Sequence, residues 1–269
     1  MEVSKRNLIF DIGFHKCEDI DFYLLQGYDV VGIDADISNV NRAREEYVDY
    51  IKSGQLILEH CAITKPNEHV VDFYRCEHSI WSSLDIKIAS RCGLFYEIDR
   101  VKGMPLSYFL KKYGVPYYCK IDIEGYDTIA LQSIGEWYSL PDYISVETEC
   151  LGEREVLNET QILSTLVHLH RLGYQRFKLI DQETFKELLP GIKFFGTNLY
   201  GMERRRILSE KLNYLFPVGS TGPFGELWGA EWLSYEEAIE TILFHRTDFF
   251  QSYRNVENFA FCCDWHAAR

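Results

Sequence analysis

Short apolar runs that close on a carboxylate alternate with helix-patterned segments along the first part of this 269-residue chain. Asn7–Leu8–Ile9–Phe10–Asp11 reads as a buried strand, followed by helical spacing from Glu18 to Gln26 that Gly27 stops. Val30–Val31–Gly32–Ile33–Asp34 is a second strand, Ser38 caps a polar helix to about Tyr50, and Leu56–Ile57–Leu58 opens a third strand. Tyr117 to Asp122 and Tyr143 to Thr148 repeat the pattern, with a helix from Thr128 to Gly135 between them, and Val70 to Tyr74 alternates like an edge strand. Continuous apolar strands split by helices are the signature of parallel βαβ units. The expected fold is α/β, an open and mostly parallel sheet with helices on both faces.

The later part of the chain reads differently. Glu159 to Leu172 is amphipathic and Phe177 to Ile180 strand-like, but Glu183 to Gly229 carries Pro190, Pro217, Pro223 and many glycines. Phe194, Phe195, Tyr200, Tyr214, Leu215, Phe216 and Trp228 punctuate that stretch, which predicts an ordered insertion or lid rather than a linker. A helix from Ser234 to Phe250 and a strand over Phe259–Ala260–Phe261–Cys262–Cys263 follow. One domain is expected over 1–269: a core over 1–182, a lid over 183–233, and a final helix and strand over 234–269.

Charge narrows the partners. With 28 Lys and Arg against 41 Asp and Glu the net charge is -13, which repels phosphate backbones and anionic lipid heads. No nucleic-acid and no membrane partner is expected. Arg204–Arg205–Arg206 reads as a solvated face. The eight cysteines form no C-x-x-C pair, so a zinc site has no support, and several sit in apolar runs where a reduced thiol packs as a small hydrophobe. A reducing, cytoplasmic setting is expected. The aromatic content of the lid leaves a homodimer open.

Three strand ends carry chemistry. Phe10–Asp11–Ile12–Gly13–Phe14–His15–Lys16–Cys17–Glu18 is a strand, a glycine turn and a helix start, the place where open α/β sheets bind ligands. Gly13 permits close backbone approach, and Asp11 offers a carboxylate to a cationic amino group. A dinucleotide would want glycine where Asp11 stands, since a carboxylate repels pyrophosphate. Gly32–Ile33–Asp34–Ala35–Asp36 closes the next strand, and an acid there can accept hydrogen bonds from both hydroxyls of a ribose. The plain alternatives are a glycine-bearing βα turn and an aspartate helix cap. Together the two motifs suit a nucleoside that bears an amino acid and no phosphate, and S-adenosylmethionine is such a molecule. Lys120–Ile121–Asp122–Ile123–Glu124–Gly125–Tyr126–Asp127 places further ionisable groups at a strand end. Asp122 and Glu124 there could hold an amino group, orient an acceptor hydroxyl, or bind a divalent cation such as Mg2+ with Glu147 or Glu149; a salt-bridged strand end is the alternative.

The strings FDIGFHKCEDIDFYLLQGYDVVGIDAD, YYCKIDIEGYD and PDYISVE, spanning about Asn7 to Glu147, resemble the FkbM family of S-adenosylmethionine-dependent methyltransferases. Trp81–Ser82–Ser83, Arg176–Phe177–Lys178–Leu179 and the stretch Gly219–Ser220–Thr221–Gly222–Pro223–Phe224–Gly225 resemble one bacterial branch of it. The resemblance implies the class I methyltransferase Rossmann-like fold, a mostly parallel seven-stranded sheet whose last strand is reversed. It also implies O-methylation of hydroxyls on sugars or other small molecules. It places Asp11, Gly13, Asp34 and Asp122 around the cofactor, with Phe14, Ala35, Cys61, Ala62 and Ser82 beside them. Cys17 stands where the family usually has glycine, and Asp34 replaces the commoner glutamate.

A hydroxyl acceptor needs its proton removed, by a general base or with the help of a metal. His15, in the loop after the first strand, is one candidate base, with a loop hydrogen bond as its plain reading, and His78 is comparable. Asp122, Glu124 and Glu147 form the carboxylate or metal alternative. His266 has Asp264 two residues away to orient it, but a reversed last strand would carry it to the edge opposite the cofactor. Rival functions are a nicotinamide-dependent oxidoreductase, a non-catalytic partner protein that keeps the fold, and methyl transfer to protein or RNA.

Overall fold

The computed structural model describes residues 5–90, 96–135, 139–148, 159–193, 203–253 and 262–269. Glu149, Phe194, Phe195, Tyr200 and Phe259–Phe261, all singled out above, lie outside the described residues, as do two of the eight cysteines, Cys92 and Cys150. The chain divides into two compact units, Met1–Asp142 and Tyr143–Arg269, so the division falls inside the stretch 1–182 that the sequence groups as a core.

The first unit runs β1 (Lys5–Ile12), α1 (Ile20–Leu25), β2 (Asp29–Asp34), α2 (Ile37–Glu46), α3 (Val48–Ser53) and β3 (Leu56–His60). It continues with β4 (Ala62–Ile63), β5 (Val70–Cys76), a 3-10 turn over Ser79–Trp81, α4 (Ile86–Ala89), β6 (Tyr96–Met104), α5 (Leu106–Tyr113), β7 (Pro116–Ile121) and α6 (Asp127–Ile134). Its main strands lie in the order β3-β2-β1-β7, all parallel. The register sets Asp11 beside Gly32 on one side and Lys120 on the other, and Ile12 beside Ile33 and Ile121. Asp34, Asp122 and Gly13 therefore arrive together at one sheet edge. Ile9, Phe10, Ile12, Val30, Val31, Ile33, Tyr118, Cys119 and Ile121 are buried, as strands covered on both faces require.

Where this unit departs from expectation, local chemistry explains it. The polar helix is capped by Asp36, whose Oδ1 accepts from the Ser38 N–H at 2.8 Å, not by Ser38. It ends at Glu46 because Tyr47 leaves helical geometry, and α3 takes over. Val70–Tyr74 extends to Cys76 and pairs antiparallel with β6, which is parallel to β4. The sequence hides β6 because four of its nine residues are Glu97, Asp99, Arg100 and Lys102. Ala62, Phe73 and Val101 form a small core beneath this second sheet, with Ala35, Val71 and Leu84 packed on it.

The second unit contains β8 (Tyr143–Glu147), α7 (Glu159–Ile162), α8 (Ser164–Leu172), β9 (Arg176–Asp181), β10 (Glu187–Leu188), α9 (Glu203–Leu212), a 3-10 turn over Gly225–Trp228, α10 (Tyr235–Tyr253) and β11 (Cys263–Ala268). Its strands lie in the order β8-β11-β9-β10. β11 runs antiparallel to both neighbours, so the expected reversal of the last strand is present. It occupies Cys263–Ala268, later than Phe259–Cys263, and every one of its residues is buried. Asp264 and His266 disguise it as a loop in the sequence. Gln182 Nε2 donates to Asp264 Oδ1 at 2.8 Å, and Trp228 Nε1 donates to His266 Nδ1 at 3.3 Å, which makes that burial tolerable. The main strands number eight, four in each unit, against the seven expected; the extra one is the two-residue β10, which folds back on β9.

Ser220 to Gly225 is buried throughout, so among the described residues this stretch of the expected lid is a packed turn. The arginine run is not a uniform solvated face. Arg205 is buried and donates to the carbonyls of Gln182, Glu183, Phe216 and Pro217. Arg204 donates to Glu187 Oε1 and the Trp228 carbonyl, and Arg206 alone stays exposed, paired with Glu210. The reason is a helical one: successive residues point some 100° apart, so one run serves three environments.

The six described cysteines are free, five of them buried, as small hydrophobes would be. Among the described residues no helix is long and apolar enough to cross a membrane.

Candidate functional site

The carboxyl ends of β1, β2 and β7 build the site. After Ile12 the chain turns through Gly13 at φ 79, a left-handed conformation that glycine adopts without cost. The Gly13 N–H bonds the Ile33 carbonyl at 2.8 Å, and a Cβ here would lie 1.8 Å from the Asp122 carbonyl oxygen. No side chain fits, so glycine is required by close approach of two backbones as well as by φ.

Asp11 is completely buried at the end of β1, and both of its oxygens lack a hydrogen bond among the described residues. Its nearest cation is Lys120, whose Nζ stands 3.3 Å from Asp11 Oδ1, 3.6 Å from Asp122 Oδ2 and 3.9 Å from Asp19 Oδ2. That ammonium also donates to the Gly13 carbonyl at 3.2 Å. Burial pushes the Asp11 carboxyl above its ordinary range, against the opposing pull of Lys120. Three carboxylates thus face one ammonium. Lys120 and Asp19 were not read from the sequence as site residues, and only the β1–β7 register brings Lys120 to Asp11.

The loop after Gly13 is held from several sides. The His15 N–H donates to Asp34 Oδ2 at 2.8 Å, and Arg42 Nη2 donates to the His15 carbonyl at 2.7 Å. His15 and Cys17 both carry positive φ, 45 and 66, so the backbone stores strain that these bonds retain. The position of Cys17 is thus one where glycine would be at ease. Around the ring, His15 Nδ1 lies 2.9 Å from Glu18 Oε1 and Nε2 lies 2.8 Å from Ser79 Oγ. Glu18 Oε2 accepts from the Lys16 N–H at 2.9 Å. Burial raises the Glu18 carboxyl, but the hydrogen bond and charge of His15 bring it below its ordinary value.

Asp34 ends β2 with Oδ1 accepting from the Asp36 N–H at 2.7 Å and Oδ2 from His15 and, at 3.4 Å, Asn39. Burial raises its carboxyl to about 7 despite these donors. Each carboxylate oxygen has further acceptor capacity.

The other predicted residues fall as follows. Phe14 is buried across Gly32 of β2, where a Cβ would lie 3.0 Å from the Phe14 ring. Ala35 packs on Ala62, and Cys61 donates its thiol to the Lys102 carbonyl at 3.1 Å, with burial raising its pKa to about 11. Ser82 Oγ accepts from the Cys76 N–H at 3.0 Å. Asp122 and Glu124 follow β7 and are half-buried, and Ser83 donates to the Glu124 carbonyl at 2.7 Å. Asp127 turns inward and accepts from the N–H groups of Ile123 and Gly125, both at 3.1 Å, so it shapes this loop. Burial first, and the Asp122 charge second, raise it to about 7. His78 is exposed, edge-on to Trp81. Glu147 ends β8 of the second unit, half-buried and in register with Asp264. His266 is buried in β11, and burial depresses its imidazole to about 3.

No protein-family model and no curated protein matches the sequence. Among solved structures, the chain is similar to a geranyl diphosphate C-methyltransferase from Streptomyces coelicolor A3(2), in complex with Mg2+, geranyl diphosphate and S-adenosyl-L-homocysteine. That match has 9% identity and a TM-score of 0.41, over 100% of this chain and 75% of that one. A precorrin-6y C5,15-methyltransferase from Geobacter metallireducens GS-15 matches at 8% identity and TM-score 0.36, over 67% of this chain and 71% of the other. A [4+2]-cyclase matches at 9% identity and TM-score 0.40, over 99% and 76%. All three similarities are remote.

Proposed function

We propose that the chain is an S-adenosylmethionine-dependent methyltransferase acting on a hydroxyl of a sugar or other small molecule. The observation that carries the reading is the buried Asp11 carboxylate, whose oxygens lack a hydrogen bond among the described residues, at an edge where Asp11, Asp19 and Asp122 all lie within 4 Å of Lys120. Such an edge favours a cationic ligand and repels a pyrophosphate. The donor set fits: an amino group supplies the cation and hydrogen-bond donors, and a ribose supplies hydroxyls for Asp34.

When bound, S-adenosylmethionine supplies a methyl group on a positively charged sulfur. In this reading Asp11 and Asp122 attract the amino end, and Gly13 lets the backbone lie against it. Asp34, already oriented by two backbone N–H groups, accepts from the ribose. Phe14, Ala35, Cys61, Ala62 and Ser82 form the surroundings of the nucleoside. His15, Asp122, Glu124 and Glu147 are the candidate catalytic groups.

The test is thermal unfolding of the purified protein with S-adenosylhomocysteine, with and without Mg2+, and with NAD in parallel. A ligand that binds only the native state adds about 2.7 kcal/mol at a hundredfold excess over Kd. The homocysteine compound is expected to raise Tm, and Asp34→Asn to lose most of the rise. A rise with NAD alone would overturn the reading, and an additional rise with Mg2+ would favour a cation on the carboxylates over a general base.

A further inference from the structure

We infer that His15 is the general base that takes the proton of an acceptor hydroxyl, that Glu18 is its positioning residue, and that Ser79 Oγ marks where that hydroxyl sits; the inference rests on the methyl-transfer reading above. The geometry has a direction. Glu18 is held ionised and acceptor-only by its hydrogen bonds, so the ring nitrogen facing it, Nδ1, must carry a hydrogen. Nε2 is then the basic nitrogen, and the Ser79 hydroxyl donates to it across 2.8 Å. A base whose far nitrogen is fixed by a carboxylate, with a hydroxyl already on its near nitrogen, is the arrangement that activates an oxygen nucleophile.

Three further features fit a working base better than a loop ornament. The imidazole is 20% exposed and its carboxylate 16%, so the pair is largely shielded yet not sealed from solvent. The backbone of His15 is anchored at both ends, by Asp34 and by Arg42, in a strained φ. And Ser79 comes from the 3-10 turn, 64 residues away in sequence, so the hydroxyl is brought to Nε2 by the fold. Asp34, the ribose acceptor, bonds the very N–H of the residue whose ring would be the base. The two halves of the reaction therefore meet in one residue.

In the step, the acceptor hydroxyl replaces Ser79 Oγ at Nε2. The acceptor oxygen forms its bond to the methyl carbon while the carbon–sulfur bond of the donor breaks and its electron pair stays on sulfur. The hydroxyl proton ends on Nε2, and the resulting imidazolium is stabilised by Glu18. Solvent takes the proton before the next turnover. The inference selects oxygen over carbon or a cationic amine as the methyl-accepting atom, because a neutral hydroxyl is what this base is built to deprotonate.

The experiment uses the full chain, S-adenosylmethionine labelled in its methyl group, and a panel of hexoses, glycerol and catechol. S-adenosylhomocysteine binding is measured by calorimetry beside it. Expected is label transfer that falls about a hundredfold in His15→Gln, the ordinary contribution of a general base. Glu18→Gln is expected to lower kcat with KM unchanged, Glu18→Asp to restore most of it, and Ser79→Ala to lower transfer far less than His15→Gln. In long-range nitrogen spectra of histidine-labelled protein, His15 should show the Nδ1–H tautomer, lost in Glu18→Gln. Homocysteine-compound binding should survive in all four variants. Bound cofactor with undiminished transfer in His15→Gln, or with transfer to no member of the panel, overturns this inference and leaves the methyltransferase reading standing. A collapse in Ser79→Ala as deep as in His15→Gln overturns the placement of the acceptor. Absence of any binding by the wild type sinks the parent reading as well.

Discussion

The two units both bury charge, and they treat it in opposite ways. In the first, three carboxylates converge on Lys120, and Asp11 retains oxygens without a hydrogen bond. In the second, Arg205 donates to four backbone carbonyls and Lys178 donates to the Gly225 carbonyl at 3.2 Å while resting 3.8 Å from the centre of the Trp232 ring. Burial lowers the Lys178 ammonium to about 8 and the His266 imidazole to about 3. The first unit gathers acids around one ammonium; the second turns its cations inward to hold its own loops. Buried charge does not by itself mark a site, nor does an orphaned oxygen alone, since Asp248 of the second unit also buries both carboxylate oxygens without a hydrogen bond; what sets Asp11 apart is the company of Asp19 and Asp122 around one ammonium.

The sharpest way to break that contrast is Arg205→Ala. Leaving several buried carbonyls without donors is expected to cost more than about 3 kcal/mol in urea unfolding. The fraction still folded should bind S-adenosylhomocysteine as the wild type does; lost affinity in the folded protein would mean that the pins of the second unit also serve the site. Asp11→Asn is the counterpart in the first unit. Removing a buried carboxylate whose pKa burial has raised should leave stability unchanged or raise it by about 1 kcal/mol, while ligand affinity falls at least about tenfold. Equal loss of both would make Asp11 an ordinary structural acid.

The pH dependence offers a smaller but more specific measure. Asp34 holds its proton to about 7 in the folded chain, whereas an ordinary aspartate gives it up at 3.8. Between those values the unfolded state binds fewer protons, so this group lowers stability as pH rises from about 4 to 7. Urea unfolding across that window should therefore show a flatter slope in Asp34→Asn than in the wild type. The smallest effect expected is at Cys17. With φ at 66, Cys17→Gly should be more stable than Cys17→Ala by about 1 kcal/mol, the cost of a Cβ in the left-handed region.

The strand ends of the first unit were legible because a β-rich apolar run followed by Asp and Gly has few other uses. Asp11, Gly13 and Asp34 stand at one edge as the alternation implied. Lys120 was not legible as the counter-ion of Asp11, since only register makes it a neighbour. Glu18, three residues from His15, lay within sight, but Ser79 did not, since the chain between them runs through β2, β3, β4 and β5. In the second unit the failures share one cause. β11 carries Asp264 and His266, and α9 buries Arg205, so polar residues stand where a pattern reader expects solvent. Their burial depends on partners far along the chain, Gln182, Trp228 and the Phe216–Pro217 turn, which no local window contains.

The position of β11 bears on how the polypeptide is made. Every main-sheet strand of the first unit has left the ribosome once Ile121 is out of the exit tunnel, and its order β3-β2-β1-β7 can then assemble. In the second, β11 lies between β8 and β9, which precede it by more than eighty residues, so the two must wait with facing edges unpaired. At synthesis rates of about 5–20 residues per second that interval lasts several seconds. Unpaired edges of this kind invite foreign strands. Chaperone demand and misassembly during biosynthesis should accordingly concentrate on nascent chains that have emerged past β9 but not yet released Cys263–Ala268.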